Sequence, residues 1–178
     1  MTRLMLCRHA EPANAVQTRT LAEALAASAV AAVYTSPLAR AVETATTVAD
    51  AQRLVPIPVG DLREIDFGEV EGLAFDALPV ELQAGLLREP MHVRFPGGET
   101  YDELQERVCR AIDRIVADHP EETVAAVTHA GSIRAALAAW LHIADEAIFR
   151  IDQRYAAVNV VDWSDGIPLV RLVNGARP

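Results

Sequence analysis

Leu4-Met5-Leu6-Cys7 runs directly into Arg8-His9-Ala10-Glu11-Pro12. Four consecutive apolar residues suit a strand buried on both faces, and the abrupt polar group after them belongs to the loop at its carboxyl end. The pattern recurs far downstream, where the β-prone run Thr123 to Thr128 ends at His129-Ala130-Gly131. Between them, Gln17 to Ala27 reads as a helix, with Leu21 and Leu25 one turn apart, and Ala31 to Thr35 as a strand broken by Ser36-Pro37. Arg40 to Gln52 reads as a second helix, and Val55 to Val59 as extended because Pro56 and Pro58 restrict the residues before them. Strands alternating with helices predict an α/β fold, a three-layer sandwich with a mostly parallel central sheet flanked by helices. In such sheets ligands bind beyond the carboxyl ends of the strands, where His9 and His129 both fall.

From Leu62 to Pro96 the pattern is irregular, punctuated by Gly68, Gly72, Pro79 and Pro90. The chain therefore reads as one domain over 1–178 with an insertion at about 62–96 packed over the sheet. A helix is well signalled from Thr100 to Ile115. Thr100 and Glu103 have capping-box spacing, Leu104, Val108, Ile112 and Ile115 share a stripe, and His119-Pro120 stops it. Ile133 to Leu141 reads as a further helix, and Ala156 to Trp163 with Leu169 to Val173 as a hairpin around Asp165-Gly166.

Composition narrows the function. The 178 residues are 51% hydrophobic and 23% charged, and 16 Lys and Arg against 25 Asp and Glu give a formal charge of -9. No basic run interrupts that balance, which argues against nucleic acid and anionic membranes as partners and leaves a homodimer open. Cys7 and Cys109, in a strand-like and a helix-like stretch, read as buried free thiols, and with them a reduced cytoplasmic location. The N-terminus reaches Arg8 and His9 after four apolar residues in a row, too few for a signal segment or a membrane span.

Chemistry concentrates at the strand ends. Arg8 precedes His9, and Ser36-Pro37-Leu38-Ala39-Arg40 sets a second arginine at the start of a helix. Two guanidiniums and a helix N-terminus facing one crevice suit a phosphoryl group, which accepts forked hydrogen bonds.

At these residues the chain resembles a family. Arg8-His9-Ala10-Glu11 is similar to the R-H-G-E signature of the histidine phosphatase (phosphoglycerate mutase-like) superfamily, and further motifs follow in order. Gln17, Leu21, Ala22 and Leu25 fit its first helix, Ser36-Pro37-Leu38-Ala39-Arg40-Ala41 with Thr44-Ala45 its second. Leu62 to Gly72 fits L-x-E-x-x-F-G-x-x-E-G, Pro96 to Thr100 fits P-G-G-E-S/T, and Thr128 to Arg134 fits the second-histidine motif.

The resemblance implies a metal-independent phosphomonoesterase without cofactors, acting on a small-molecule phosphate ester. His9 would be the nucleophile and form a phosphohistidine. Arg8, Arg40, His129 and backbone N–H groups near Ala130 would hold the transferring oxygens, and Glu64 would serve as general acid and then base. Glu11, Ser36 and Glu99 are weaker candidates, each able to orient an arginine, touch substrate or form a turn. The chain looks most like α-ribazole phosphatases and broad-specificity phosphomonoesterases of bacteria.

Ala10 departs from the motif glycine, Pro12 stands where Thr or Ser is common, and the family's longer segment is reduced to the few residues before Gln17. Rival readings remain. A mutase would return the phosphoryl group to substrate, but members with that activity resemble longer chains. Small phosphohistidine-protein phosphatases lack the Glu64 block, and an idle anion-binding or interaction domain is disfavoured because Arg8, His9, Arg40, Glu64 and His129 occur together and a packing role needs none of these residue types. A zinc deaminase reading of His9-Ala10-Glu11 fails for want of P-C-x-x-C, and a cysteine phosphatase fails because Ala13 and Ile115 stand where its arginine would follow Cys7 or Cys109. His92, His119 and His142 lack ligand spacing, and no metal is expected.

Overall fold

The computed structural model describes residues 1–178. The chain runs β1 (Thr2–Arg8), α1 (Ala15–Ala26), β2 (Val30–Thr35), α2 (Ala39–Gln52), β3 (Ile57–Pro58), α3 (Val80–Arg88), α4 (Tyr101–Asp118), β4 (Thr123–Thr128), α5 (Ala130–Leu141), β5 (Val158–Ser164) and β6 (Ile167–Gly175). The strands form one sheet in the order β3-β2-β4-β1-β5-β6. β1, β2, β3 and β4 are parallel, and β5 pairs antiparallel with both β1 and β6.

Alternation along the strands builds two cores. Leu4 and Leu6 of β1 face one side, with Val124 and Ala126 of β4, and pack with α4 and α5. Met5 and Cys7 face the other, with Ala125 and Val127, and pack with α1 and α2. Both faces of β1 are thus covered, which is why its sequence is apolar without a break. α4 follows its stripe: Leu104, Val108, Ile112 and Ile115 are buried, and Thr100 and Glu103 form both bonds of the capping box. No helix is long and apolar enough to cross a membrane.

Several boundaries differ from expectation. Of the extended stretch before Gly60 only Ile57–Pro58 pairs as a strand, because each proline removes a donor. α5 begins at Ala130 rather than Ile133, although Gly131 and Ser132 are poor helix formers, because Ser132 has a tertiary partner in the Arg63 carbonyl, 2.8 Å from its Oγ. The hairpin starts at Val158 because Ala156 takes a left-handed turn, φ 57°.

Residues 62–96 hold α3 and the short 3₁₀ turns Gly68–Val70 and Phe75–Ala77, and their Leu62, Ile65, Leu82, Leu86 and Phe95 join the core beside α4 and α5. Gly68 is required there. It has φ +55°, and an added Cβ would stand 2.1 Å from the Pro96 carbonyl oxygen, so the backbones of 66–69 and 96–98 meet only without a side chain. Cys7 is buried and Cys109 half-buried; both thiols are free, and burial pushes them up to about 12 and about 11.

Candidate active site

The register of β1 on β4 pairs Arg8 with Thr128, so the next residue of each strand is a histidine at the same sheet end. The His9 N–H donates to the Thr128 carbonyl at 2.9 Å, and the two imidazole centroids lie 5.1 Å apart. The loop after β1 stays close to α2 because the Ala10 N–H donates to Thr44 Oγ1 at 3.0 Å. Pro12-Ala13 then closes a tight turn, with Ala13 at φ 61° and Asn14 capping α1.

His9 is 5% exposed, and its Nδ1 lies 2.7 Å from the Ala10 carbonyl oxygen. A carbonyl only accepts, so Nδ1 carries the hydrogen and Nε2 is the bare nitrogen. Burial, then the charges of Arg40 and Arg8, push the His9 pKa down to about 4. His129 is fully buried and is pushed lower still, first by burial and then by Arg40. Its Nε2 lies 2.7 Å from Ser36 Oγ, which also accepts from the Leu38 N–H at 3.3 Å. Ser36 therefore orients the second histidine. The buried side-chain polar atoms without a protein partner are Arg8 Nε and His129 Nδ1, so hydrogen-bonding capacity left unused in the protein lies in this cluster.

Arg8 is fixed by two contacts. Its Nη1 donates to the Gln153 carbonyl at 2.6 Å, and its guanidinium carbon lies 3.8 Å from the Tyr155 ring centroid. Tyr155 also flanks His9, at 5.6 Å between centroids. Arg40, in the first turn of α2, lines a cavity of about 470 Å³ with Arg63, Glu64, Asp66, Gly97 and Gly98.

Glu64 stands on the α5 side of that cavity. Its Oε1 accepts from the Ile65 N–H at 3.0 Å and its Oε2 from the Gly131 N–H at 3.2 Å. Burial raises its pKa, against the lowering effect of those two N–H groups and of Arg40 and Arg134. The backbone that carries it is pinned by side chains. Thr128 Oγ1 donates to the Leu62 carbonyl at 2.6 Å, and Arg107 donates to the carbonyls of Asp61, Arg63 and Glu64 at 2.8, 2.8 and 3.0 Å. Glu99 binds the Arg107 guanidinium, with Oε2 accepting from Nε at 3.0 Å, and Glu99 Oε1 accepts from the Asp66 N–H at 2.9 Å.

The arrangement presents a neutral imidazole with one bare nitrogen, a cationic surround and a carboxyl group of raised pKa. Such a set suits anion binding, nucleophilic attack and proton transfer. The model of the histidine phosphatase superfamily, branch 1, matches residues 11–175. The chain belongs to this superfamily. Arg8 and His9 stand immediately ahead of the matched span.

The chain is 37% identical over 149 residues to Bifunctional protein Rv2228c of Mycobacterium tuberculosis, covering 82% of this chain and 41% of that one. It thus spans about two fifths of the length of the mycobacterial relatives it matches. Phosphoserine phosphatase 1 of Hydrogenobacter thermophilus is 29% identical over 164 residues, covering 80% of this chain and 78% of that one. Among solved structures, Bacillus stearothermophilus YhfR superposes with a TM-score of 0.86 at 26% identity, covering 98% of both chains.

Of the residues singled out in the sequence, His9 and His129 meet, and the charges of Arg8 and Arg40 act on both. Arg40 also acts on Glu64, and Ala130 opens α5 beside that carboxyl group. Ser36 joins the cluster through His129. Glu99 orients an arginine, and that arginine is Arg107. Glu11 does not join: it is exposed, its Oε2 accepts from Asn14 Nδ2 at 3.1 Å, and no ion pair ties it to Arg8 or Arg40. Sequence reasoning missed Tyr155, Arg107 and Gly131. Tyr155 lies in no motif, and Arg107 has the spacing of a solvated helix charge although its side chain is only 12% exposed. Gly131 falls within the second-histidine motif, but the sequence reads the helix only from Ile133, so its place in the first turn of α5 emerges in the fold.

Proposed function

We propose that the chain is a metal-independent phosphomonoesterase acting on small phosphorylated metabolites through a phosphohistidine on His9. The observation that carries this reading is the His9 ring itself, neutral at physiological pH and held by the Ala10 carbonyl with Nε2 bare. Nε2 attacks phosphorus, the ester P–O bond breaks, and Glu64 gives its proton to the departing alkoxide. Water then attacks the phosphohistidine, Glu64 takes a proton from it, and inorganic phosphate leaves. Arg8, Arg40, His129 and the Ala130 N–H hold the three equatorial oxygens, whose charge grows in the transition state. Similarity to a phosphoserine phosphatase supports phosphomonoester hydrolysis and makes phosphoserine one substrate to test.

Enzyme mixed with ³²P-labelled substrate and denatured within milliseconds should carry label that survives alkali and is lost in acid. No label on the protein during turnover would sink the covalent route, and label passed to an added sugar phosphate instead of water would make the enzyme a mutase.

Two substitutions test the assignment. Arg40→Ala should lower kcat/KM by about a hundredfold to a thousandfold, and Arg40→Lys should recover little, because an ammonium lacks the guanidinium fork. Near-full activity of Arg40→Ala in steady-state assays would remove it from the phosphate site. Gly131→Ala is a finer probe. The new Cβ would stand 2.2 Å from Glu64 Oε1 and force the carboxyl group aside, while the helical backbone tolerates alanine. Tm should hold while kcat/KM for alkyl esters falls about tenfold or more. Equal activity of both proteins would show that the Glu64 position is not critical.

A further inference from the structure

Segment 62–96 and the 3₁₀ turn Asp145–Arg150 leave apolar side chains where water reaches them. Leu73, Phe75 and Phe149 are 50%, 47% and 45% exposed, and all three line one cavity of about 500 Å³. Phe95 and Tyr101 line it from the core side, with Phe149 edge-on to Tyr101 at 5.2 Å between centroids. Clustered exposed rings around a concavity of this size mark a binding site far more often than ordinary surface. The cavity adjoins the active site: Glu71 lines both it and the polar cavity that holds Arg40 and Glu64. Glu64 and Arg134 act electrostatically on the buried Tyr101 phenol.

A phosphate held at His9 and Arg40 with its ester oxygen toward Glu64 directs the alcohol portion to this side of the site. Ten of the twelve lining residues are hydrophobic, and the one charged group among them, Glu71, repels a second anion. We propose that the cavity is a specificity subsite for the alcohol portion of the substrate, and that it selects phosphate esters of uncharged, ring-bearing alcohols over esters carrying a carboxylate. The position of the alcohol rests on the function proposed above. The apolar lining of the cavity does not.

The test compares 2-(2-naphthyl)ethyl phosphate with ethyl phosphate, two alkyl esters with similar leaving alkoxides. In the wild type kcat/KM for the naphthyl ester should exceed that for ethyl phosphate by at least about tenfold, from apolar burial alone. Phe75→Ala and Leu73→Glu, both at half-exposed positions, should each lower that ratio at least about fivefold. A ratio near one, or one that neither variant moves, overturns the subsite and leaves the phosphatase reading standing. A fluorescence titration with 2-(2-naphthyl)ethanol in saturating inorganic phosphate needs no turnover. Saturable binding weakened by Phe75→Ala, with neither ester hydrolysed, supports the subsite and removes the phosphatase reading; no saturable binding overturns the subsite. Sedimentation covers the remaining occupant: a dimer that Phe75→Ala converts to monomer, with the ester ratio unchanged, makes this face an interface between copies and overturns the subsite.

Discussion

His9→Ala should lower kcat by at least about ten-thousandfold while the protein stays folded, because no second group replaces a covalent nucleophile. Single-turnover assays with an activated aryl phosphate give the most sensitive measure, since the chemistry there needs the least help. His129 lies beside it but gives its Nε2 to Ser36, so it does not substitute. Residual turnover within tenfold of wild type would exclude His9 as the nucleophile. The same variant reads the electrostatics. His9 is pushed from 6.5 to about 4, so the unfolded chain binds a proton that the native protein refuses between those values. Wild-type stability therefore falls as pH drops through that window, and it is fully present above it. His9→Ala lacks this term, and its urea midpoint should decline less from pH 6.5 to 4 than the wild type's. Parallel declines would mean that burial does not shift this imidazole.

Glu64→Gln should separate substrates by leaving group. An alkyl ester leaves as a poor alkoxide that needs a proton in the transition state, whereas an activated aryl ester leaves as a stabilised phenoxide. Single-turnover transfer to the enzyme should slow by about a hundredfold to ten-thousandfold for the alkyl ester and by far less for the aryl ester. Equal losses would make Glu64 a positioning residue. The pH profile gives an independent check. For alkyl esters activity should rise with pH as His9 loses its proton near 4 and fall as Glu64, raised by burial, loses the proton it must donate. Glu64→Gln should abolish the alkaline fall alone. The substrate phosphate also ionises near pH 6, but that step is common to both proteins and cancels in the comparison.

Much of this site was legible because it sits where strands end. Leu4 to Cys7 could be read as buried strand and Arg8-His9 as its mouth from polarity alone, and Thr123 to His129 repeats that logic. The capping box at Thr100 and Glu103 was readable because both bonds lie within four residues. Arg107 was not readable. Its charge says helix surface, and its role exists only because the carbonyls of Asp61, Arg63 and Glu64 turn toward it across the fold. Glu99 was half readable: a partner arginine could be expected, but α4 chose which. For Glu11 the sequence left turn formation beside contact with an arginine or substrate, and in the fold its carboxylate accepts from Asn14 in the turn before α1.

The sequence by itself determined the strand and helix pattern and the residue types at the strand mouths, since each follows from local polarity and spacing. Tertiary structure alone decided that β1 lies beside β4 in a register that sets His9 against His129. It also decided that Ser36 reaches His129, that Gly131 leaves room for a carboxyl group, and that Tyr155 covers Arg8. Burial, which displaces the proton from His9 and favours one on Glu64, is likewise a property of the packed protein. These features depend on distances between segments remote in sequence, and such distances are fixed only when the two cores close on the sheet.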